Sequence, residues 1–240
     1  MLEADAIEVS LRDQKGDVAR LGWSALTAES VLNATPWRAV RHSHGHHHHP
    51  GWFWSAKAGR FVMYESRLEM MQLLELEFDH NVDDIREQPF QMAFTDAGRR
   101  RRHTPDFFVT CRQGADRLIN VKPPNWERHE PTRRMFAELD GVCGERGWDY
   151  ETWTGRSRER LLNLQWLAGY RRREVIPATA EELSTLLATV EHNPSIGAVE
   201  RAATHAGVHH PRPALLHLLW VQAIHVDLEL PLNPTSEVWT

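Results

Sequence analysis

Apolar and polar positions change period several times along the chain, and each change marks an element. Residues 1–35 are polar with weak periodicity, which predicts one or two short irregular elements. WFWSAKAGRFVMY (52–64) reads as a hairpin turning at KAG, with Trp52, Trp54, Phe61 and Val62 available for a core face. From Glu65 the spacing turns helical: Leu68, Met71, Leu74, Leu76 and Phe78 interleave with Glu69, Gln72, Glu75 and Glu77 until Asn81 and the Asp83–Asp84 pair end the run. VDDIREQPF then reads as extended and is closed by a proline. Strands follow at QMAFT, DFFVTCR and RLINVK, with Gly98 and Gly114 at turns. Residues 132–143 read as a helix, GWDYETWT as a strand and SRERLLNLQWLAGYRRR as a helix. Helix, three strands, helix, strand, helix is the order of an α/β sandwich rather than an all-β barrel.

A change of composition at IPATAEE (176–182) predicts a second module. AEELSTLLATVEH is helical, Pro194 and Ser195 stop and cap before IGAVERAATHAG, and Gly207 marks a turn. Helix, helix, turn, helix, strand, proline-bearing tip and strand is the order of a winged helix. The expected division is an N-terminal segment (1–35), a main domain (36–174) and a winged-helix-like domain (175–240).

Composition narrows the function classes. The 240 residues are 41% hydrophobic and 25% charged, ordinary for a soluble globular protein. No apolar run is long enough to span a bilayer, and the amino terminus lacks the basic and apolar regions of a secretory signal, so a cytoplasmic protein with no membrane partner is expected. Cys111 and Cys143 have no metal-ligand spacing, which argues against a disulfide framework or a cysteine-bound zinc. A net charge of −5 excludes a histone-like polycation, yet arginines gather at 99–102, 132–134, 156–160 and 171–173, and a basic face of that kind can meet phosphates. The His46–His49 cluster reads as a loop between strand-like pieces, without the carboxylates of a hard-metal site.

Candidate chemistry concentrates at two strand ends. If DFFVTCR and RLINVK pair as a hairpin through the turn at QGAD, Asp106 and Lys122 come to the same end of the sheet. Asn120, two residues before Lys122, shares its face. An acid, an amide and an ammonium together suit phosphodiester hydrolysis: Asp106 and Asn120 offer oxygen ligands to Mg²⁺, and Lys122 can orient a water and neutralise developing charge. A further carboxylate is expected from the preceding helix, where Glu65 and Glu69 lie one turn apart; spacing does not choose between them.

These segments carry a resemblance. YESRLEMMQLLELEFDHNVDDIREQPF, RRHTPDFFVTCRQG, LINVKP, GWDYETWT and LLNLQWL, spanning roughly residues 52–170, resemble the PD-(D/E)xK nuclease superfamily and, more closely, TnsA-like transposon-end endonucleases. The resemblance implies a restriction-endonuclease-like mixed sheet flanked by helices, followed by a C-terminal winged-helix domain. It places the family's catalytic residues on Glu69, Asp106 and Lys122, selecting Glu69 over Glu65, with Glu69, Asp106 and Asn120 as metal ligands. Asn120 departs from the Gln or acid usual at its position, which implies weaker metal affinity. Gln88 falls in a recurrent family segment, as a strand-positioning or phosphate-contacting residue, and Arg101, Arg102 and His103 are further candidate DNA contacts. The implied activity is Mg²⁺-dependent hydrolysis, with Mn²⁺ as a substitute, of the non-transferred strand of double-stranded DNA at transposon ends. Its implied partners are a transposase subunit and an ATPase regulator. The alternatives are a stand-alone restriction or phage-defence nuclease of the same fold and a non-catalytic DNA-binding assembly subunit.

Overall fold

The computed structural model describes residues 2–38, 50–96 and 98–240; the His46–His49 cluster lies outside them. The chain divides into two compact units, Met1–Gly155 and Arg156–Thr240. The first is a mixed α/β assembly. Strands β1 (Glu8–Arg12) and β2 (Val18–Gly22) form a hairpin, followed by helix α1 (Ala28–Leu32). A second hairpin, β3 (Gly51–Ser55) and β4 (Arg60–Tyr64), leads into helix α2 (Arg67–Phe78). Then come β5 (Val82–Glu87), β6 (Gln91–Asp96), β7 (Arg99–His103), β8 (Phe107–Cys111), β9 (Arg117–Val121), helix α3 (Glu130–Glu145) and β10 (Asp149–Trp153).

Two four-stranded sheets organise this unit. One runs β2-β1-β6-β7, all antiparallel. The other runs β10-β9-β8-β5 and is mixed: β10 lies parallel to β9, whereas β9, β8 and β5 alternate in direction. The central strands β8 and β9 of the mixed sheet are covered on both faces and are mostly apolar, and their alternate side chains enter different cores. Phe107, Val109, Ile119 and Val121 pack with Leu73 and Leu76 of α2. Phe108 and Leu118 pack instead with Phe136 and Leu139 of α3 and with Met92 and Phe94 of the antiparallel sheet.

Two expectations need correction. The amino-terminal segment is not irregular: Ile7, Val9 and Leu11 alternate into the core, making β1 a strand of the antiparallel sheet. Its partner β2 is an edge strand with little buried surface, which is why the stretch reads as polar. The second correction concerns the aromatic hairpin. Phe53 pairs with Val62 in register, and their face packs against α2, with Val62 fully buried. A period of two puts Trp52, Trp54 and Phe61 on the opposite face, where they are 59%, 38% and 57% exposed. The hairpin is held to α2 by polar bonds at its turn. Glu77, buried, accepts from the Ser55 hydroxyl and the Ala56 N–H at 2.7 Å each, and Lys57 Nζ donates to the carbonyls of Asp79 and Val82 at 2.6 and 2.8 Å.

The second unit contains helices α4 (Arg158–Leu167), α5 (Ala180–Val190), α6 (Ile196–His205) and α7 (Pro211–Trp220) and a short ladder of β11 (His225–Val226) with β12 (Val238–Trp239). Ser195 caps α6 and Gly207 takes a positive φ of 90°, as the turn after that helix requires. Residues Ala214 to Trp220 of α7 are all buried. The boundary at Gly155 precedes α4, a helix that sequence reading groups with the main domain. Asn163 of α4 donates to the carbonyls of Leu228 and Leu230 at 2.9 and 2.8 Å, bonds that a reading of local periodicity does not reveal.

Candidate active site

Asp106 stands immediately before β8 and Lys122 immediately after β9, and the antiparallel register of those strands brings them together. Lys122 Nζ lies 3.2 Å from Asp106 Oδ2, and the same oxygen accepts the Val121 N–H at 2.7 Å. The Asp106 backbone is pinned on both sides: its N–H donates to the Ile119 carbonyl at 3.0 Å and its carbonyl accepts the Gln88 N–H at 2.8 Å. Lys122 donates its N–H to Trp153 of β10 at 2.9 Å, and its ammonium sits 5.9 Å from the Phe136 ring centroid. Both side chains keep some solvent access, at 29% for Lys122 and 14% for Asp106.

Glu69 lies in the first turn of α2. Ser66 caps that helix, and the carboxyl of Glu69 reaches back to accept the Glu65 N–H at 2.7 Å and the Ser66 hydroxyl at 2.9 Å. Burial pushes its pKa from 4.5 up to about 7 against the lowering effect of the Glu65 bond, and the nearby charge of Asp106 adds to the rise. Glu65 is directed elsewhere, to Arg38 Nη1 at 3.1 Å on the exposed surface. Between the two acids that spacing leaves open, Glu69 is thus the one electrostatically coupled to Asp106.

Asn120 shares the α3-facing side of β9 with Leu118 and has no exposed surface. Neither its amide oxygen nor its nitrogen makes a well-formed hydrogen bond, although His103 and Tyr150 lie close enough to feel the amide. Those contacts are proximity rather than completed bonds, and a buried amide in that state is a ligand or bonding partner in waiting. Among the described residues no group of three or more His, Cys, Asp and Glu side chains could hold a metal. The oxygen donors in this region are the carboxylates of Asp106 and Glu69 and the buried amide of Asn120, the ligand chemistry of Mg²⁺, which commonly uses one or two carboxylates and retains water.

The candidate DNA contacts separate into two pairs. Arg101 and Arg102 are exposed on β7, an edge strand that runs by way of Thr104 and Pro105 to Asp106; Arg101 also meets Asp96 at 3.4 Å. Gln88 and His103 are interior. Gln88 is 3% exposed and offers its side-chain oxygen to the Arg38 N–H at 3.2 Å. Part of His103 reaches solvent, but its ring is enclosed by neighbouring groups, its centroid 5.5 Å from that of Phe136; burial first and the Lys122 charge second drive its pKa down to about 3. It is therefore neutral at neutral pH and brings no cation to a phosphate.

One charged pair beside the site was not anticipated. Glu87, 2% exposed, is met by Arg60 Nη1 at 3.1 and 2.8 Å, while Arg60 Nη2 donates to the Ile85 carbonyl at 2.7 Å. A glutamate beside alternating apolar residues reads as solvent-facing in sequence, so only its tertiary partner identifies it.

Residues 79–155 match the family described as TnsA-like endonuclease N terminal. Over that stretch the chain is similar to the N-terminal domain of TnsA-like endonucleases. The matched stretch contains Asp106, Asn120 and Lys122, whereas Glu69 of α2 precedes it. No curated protein matches the chain. The TnsA-like region includes the whole mixed sheet and ends where the first compact unit ends, at Gly155.

Proposed function

We propose that the protein is a divalent-metal-dependent DNA endonuclease that hydrolyses the non-transferred strand at transposon ends, leaving a 5′-phosphate, together with a partner transposase. The observation that carries this reading is the convergence of Asp106 and Lys122 at 3.2 Å on one strand end of a TnsA-like domain, with Glu69 close enough for its carboxyl to feel the Asp106 charge. Asp106 and Glu69 would hold Mg²⁺, with the Asn120 amide oxygen as a weaker donor. A bound Mg²⁺ supplies Lewis-acid polarisation of the scissile phosphate and relieves the repulsion between the two acids.

The chain's own groups do the rest. Lys122 presents an ammonium beside Asp106, where it orients a water and stabilises negative charge developing on the phosphate. The bond from the Val121 N–H fixes Asp106 Oδ2, leaving Oδ1 outside that pair of contacts. Arg101 and Arg102, exposed on β7, contact the DNA backbone and set its register without reading bases. In the second unit the order of α5, α6, α7 and the β11–β12 ladder suits a winged helix. Its α7 would be the DNA-reading helix of such a fold, yet seven consecutive residues of α7 are buried, which leaves that helix little surface for base readout; the partner we assign to this unit by the family resemblance is the ATPase regulator.

The test is cleavage of end-labelled transposon-end DNA in Mg²⁺ or Mn²⁺, with and without a candidate partner transposase. Partner-dependent nicking of one strand, abolished by Asp106→Ala with the fold intact, is expected. Autonomous site-specific cutting would instead establish the stand-alone nuclease, and full activity of Asp106→Ala would remove the proposed metal site.

A further inference from the structure

Gln88 is buried, yet its backbone lies in the left-handed region at φ 40°. That conformation is strained for a residue with a side chain and persists where surrounding bonds over-determine it. Three bonds do so. Its N–H donates to the Asp106 carbonyl at 2.8 Å, its carbonyl accepts the Trp37 N–H at 2.9 Å, and its side-chain Oε1 accepts the Arg38 N–H at 3.2 Å. From Arg38 the chain of contacts continues: Nη1 donates to Glu65 Oε2 at 3.1 Å, and the Glu65 N–H donates to Glu69 Oε2 at 2.7 Å. Hydrogen bonds and the intervening Arg38 and Glu65 side chains therefore link the backbone of one candidate acid to the carboxyl of the other, starting from Gln88.

We propose that Gln88 is a positioning residue that fixes the spacing of Asp106 and Glu69, through its backbone N–H on one side and its side-chain oxygen on the other. The inference rests on the nuclease reading above and deepens it. Two carboxylates serve one Mg²⁺ only if both reach it within the narrow distances of octahedral coordination, so whatever holds their separation sets metal affinity. Partners one step removed from metal ligands commonly change affinity or activity by about 10–100-fold when lost. The preceding residue reinforces the anchor, because Glu87 is pinned by Arg60 and accepts the Met63 N–H at 3.4 Å, fixing the strand end from which Gln88 departs.

Gln88→Gly separates the two contributions. Glycine takes a positive φ without strain, so the bond to Asp106 survives while the link to Arg38 is lost. The full-length variant is compared with wild type by calorimetric titration with Mn²⁺ alone, by thermal unfolding with and without Mn²⁺, and by cleavage. The expected result is an unfolding midpoint near that of wild type without metal, Mn²⁺ affinity weaker by about 10-fold, the low end for partners of metal ligands because the lost link reaches Glu69 only through Arg38 and Glu65, and a matching rise in the Mn²⁺ concentration needed for cleavage at unchanged KM for DNA. If Gln88→Gly does not fold, Gln88→Asn replaces it, since asparagine tolerates this backbone but is one methylene too short for Arg38. A folded variant of either kind that binds Mn²⁺ as wild type does overturns the positioning role. A wild-type chain that neither binds Mn²⁺ nor cuts with its partner present overturns the nuclease reading itself, a result visible without any substitution.

Discussion

Glu69 and Glu182 occupy the same place in two helices and behave in opposite ways. Each is the third residue of a helix, three positions after a capping hydroxyl, Ser66 in one case and Thr179 in the other. Each carboxyl accepts a backbone N–H at 2.7 Å, from Glu65 and Thr179 respectively. Yet Glu182 is held down at about 2, while Glu69 is pushed up to about 7. At Glu182 hydrogen bonds dominate, from the N–H groups of His209 and Thr179 and then the His209 ring. At Glu69 burial outweighs the bonds, and Asp106 adds like charge. A capping glutamate answered by donors is held ionised; one that is buried within range of a second acid's charge is pushed towards its neutral form.

The largest expected effect tests that contrast directly. Glu69→Gln should lower the strand-cleavage rate by about 10²–10³-fold or more, on the scale of losing one electrostatic element of a reaction centre. Glu182→Gln should leave cleavage unchanged in the same gel assay. Equal loss in both variants would erase the distinction.

A second prediction concerns stability. Arg60→Ala leaves Glu87 buried and unpaired, and should cost about 3 kcal/mol, at the lower end for breaking a buried pair. Denaturant unfolding measures it. Removing the caps should cost less: Ser66→Ala and Thr179→Ala should each lose about 1 kcal/mol. Ser66→Ala should in addition reduce cleavage, because its hydroxyl also holds Glu69 Oε1.

A last comparison is in pH dependence, where the two signs differ. Glu182, depressed from 4.5 to about 2, contributes stability that is complete above 4.5 and lost as pH falls towards 2. Glu69, raised from 4.5 to about 7, favours the fold below 4.5 and loses that contribution as pH rises through 7 in chelator-treated protein. Unfolding midpoints of each Glu→Gln variant against wild type should diverge in those opposite windows. A common direction would contradict the electrostatic difference.

Much of the architecture was legible along the chain because it depends on local rules. The strands DFFVTCR and RLINVK, the turns at Gly59 and Gly207 and the Ser195 cap follow from period, positive φ and donor placement. The meeting of Asp106 and Lys122 was legible for the same reason, since antiparallel pairing fixes which strand ends coincide. The interior position of Gln88 and the outward face of Trp52 and Trp54 were not. A glutamine at a strand end and an aromatic hairpin carry no mark of which face their neighbours will cover.

The sequence by itself determined the type and order of most elements after residue 50, and that two charges share one sheet end; Ser66 and Thr179, each three positions before a glutamate, are likewise local features of the chain. Only the tertiary structure decided which of those glutamates loses its water and faces another acid. Hydrogen bonds within a helix turn are set by neighbours along the chain, whereas desolvation and charge coupling come from groups that the fold brings in from elsewhere, such as Asp106 beside Glu69.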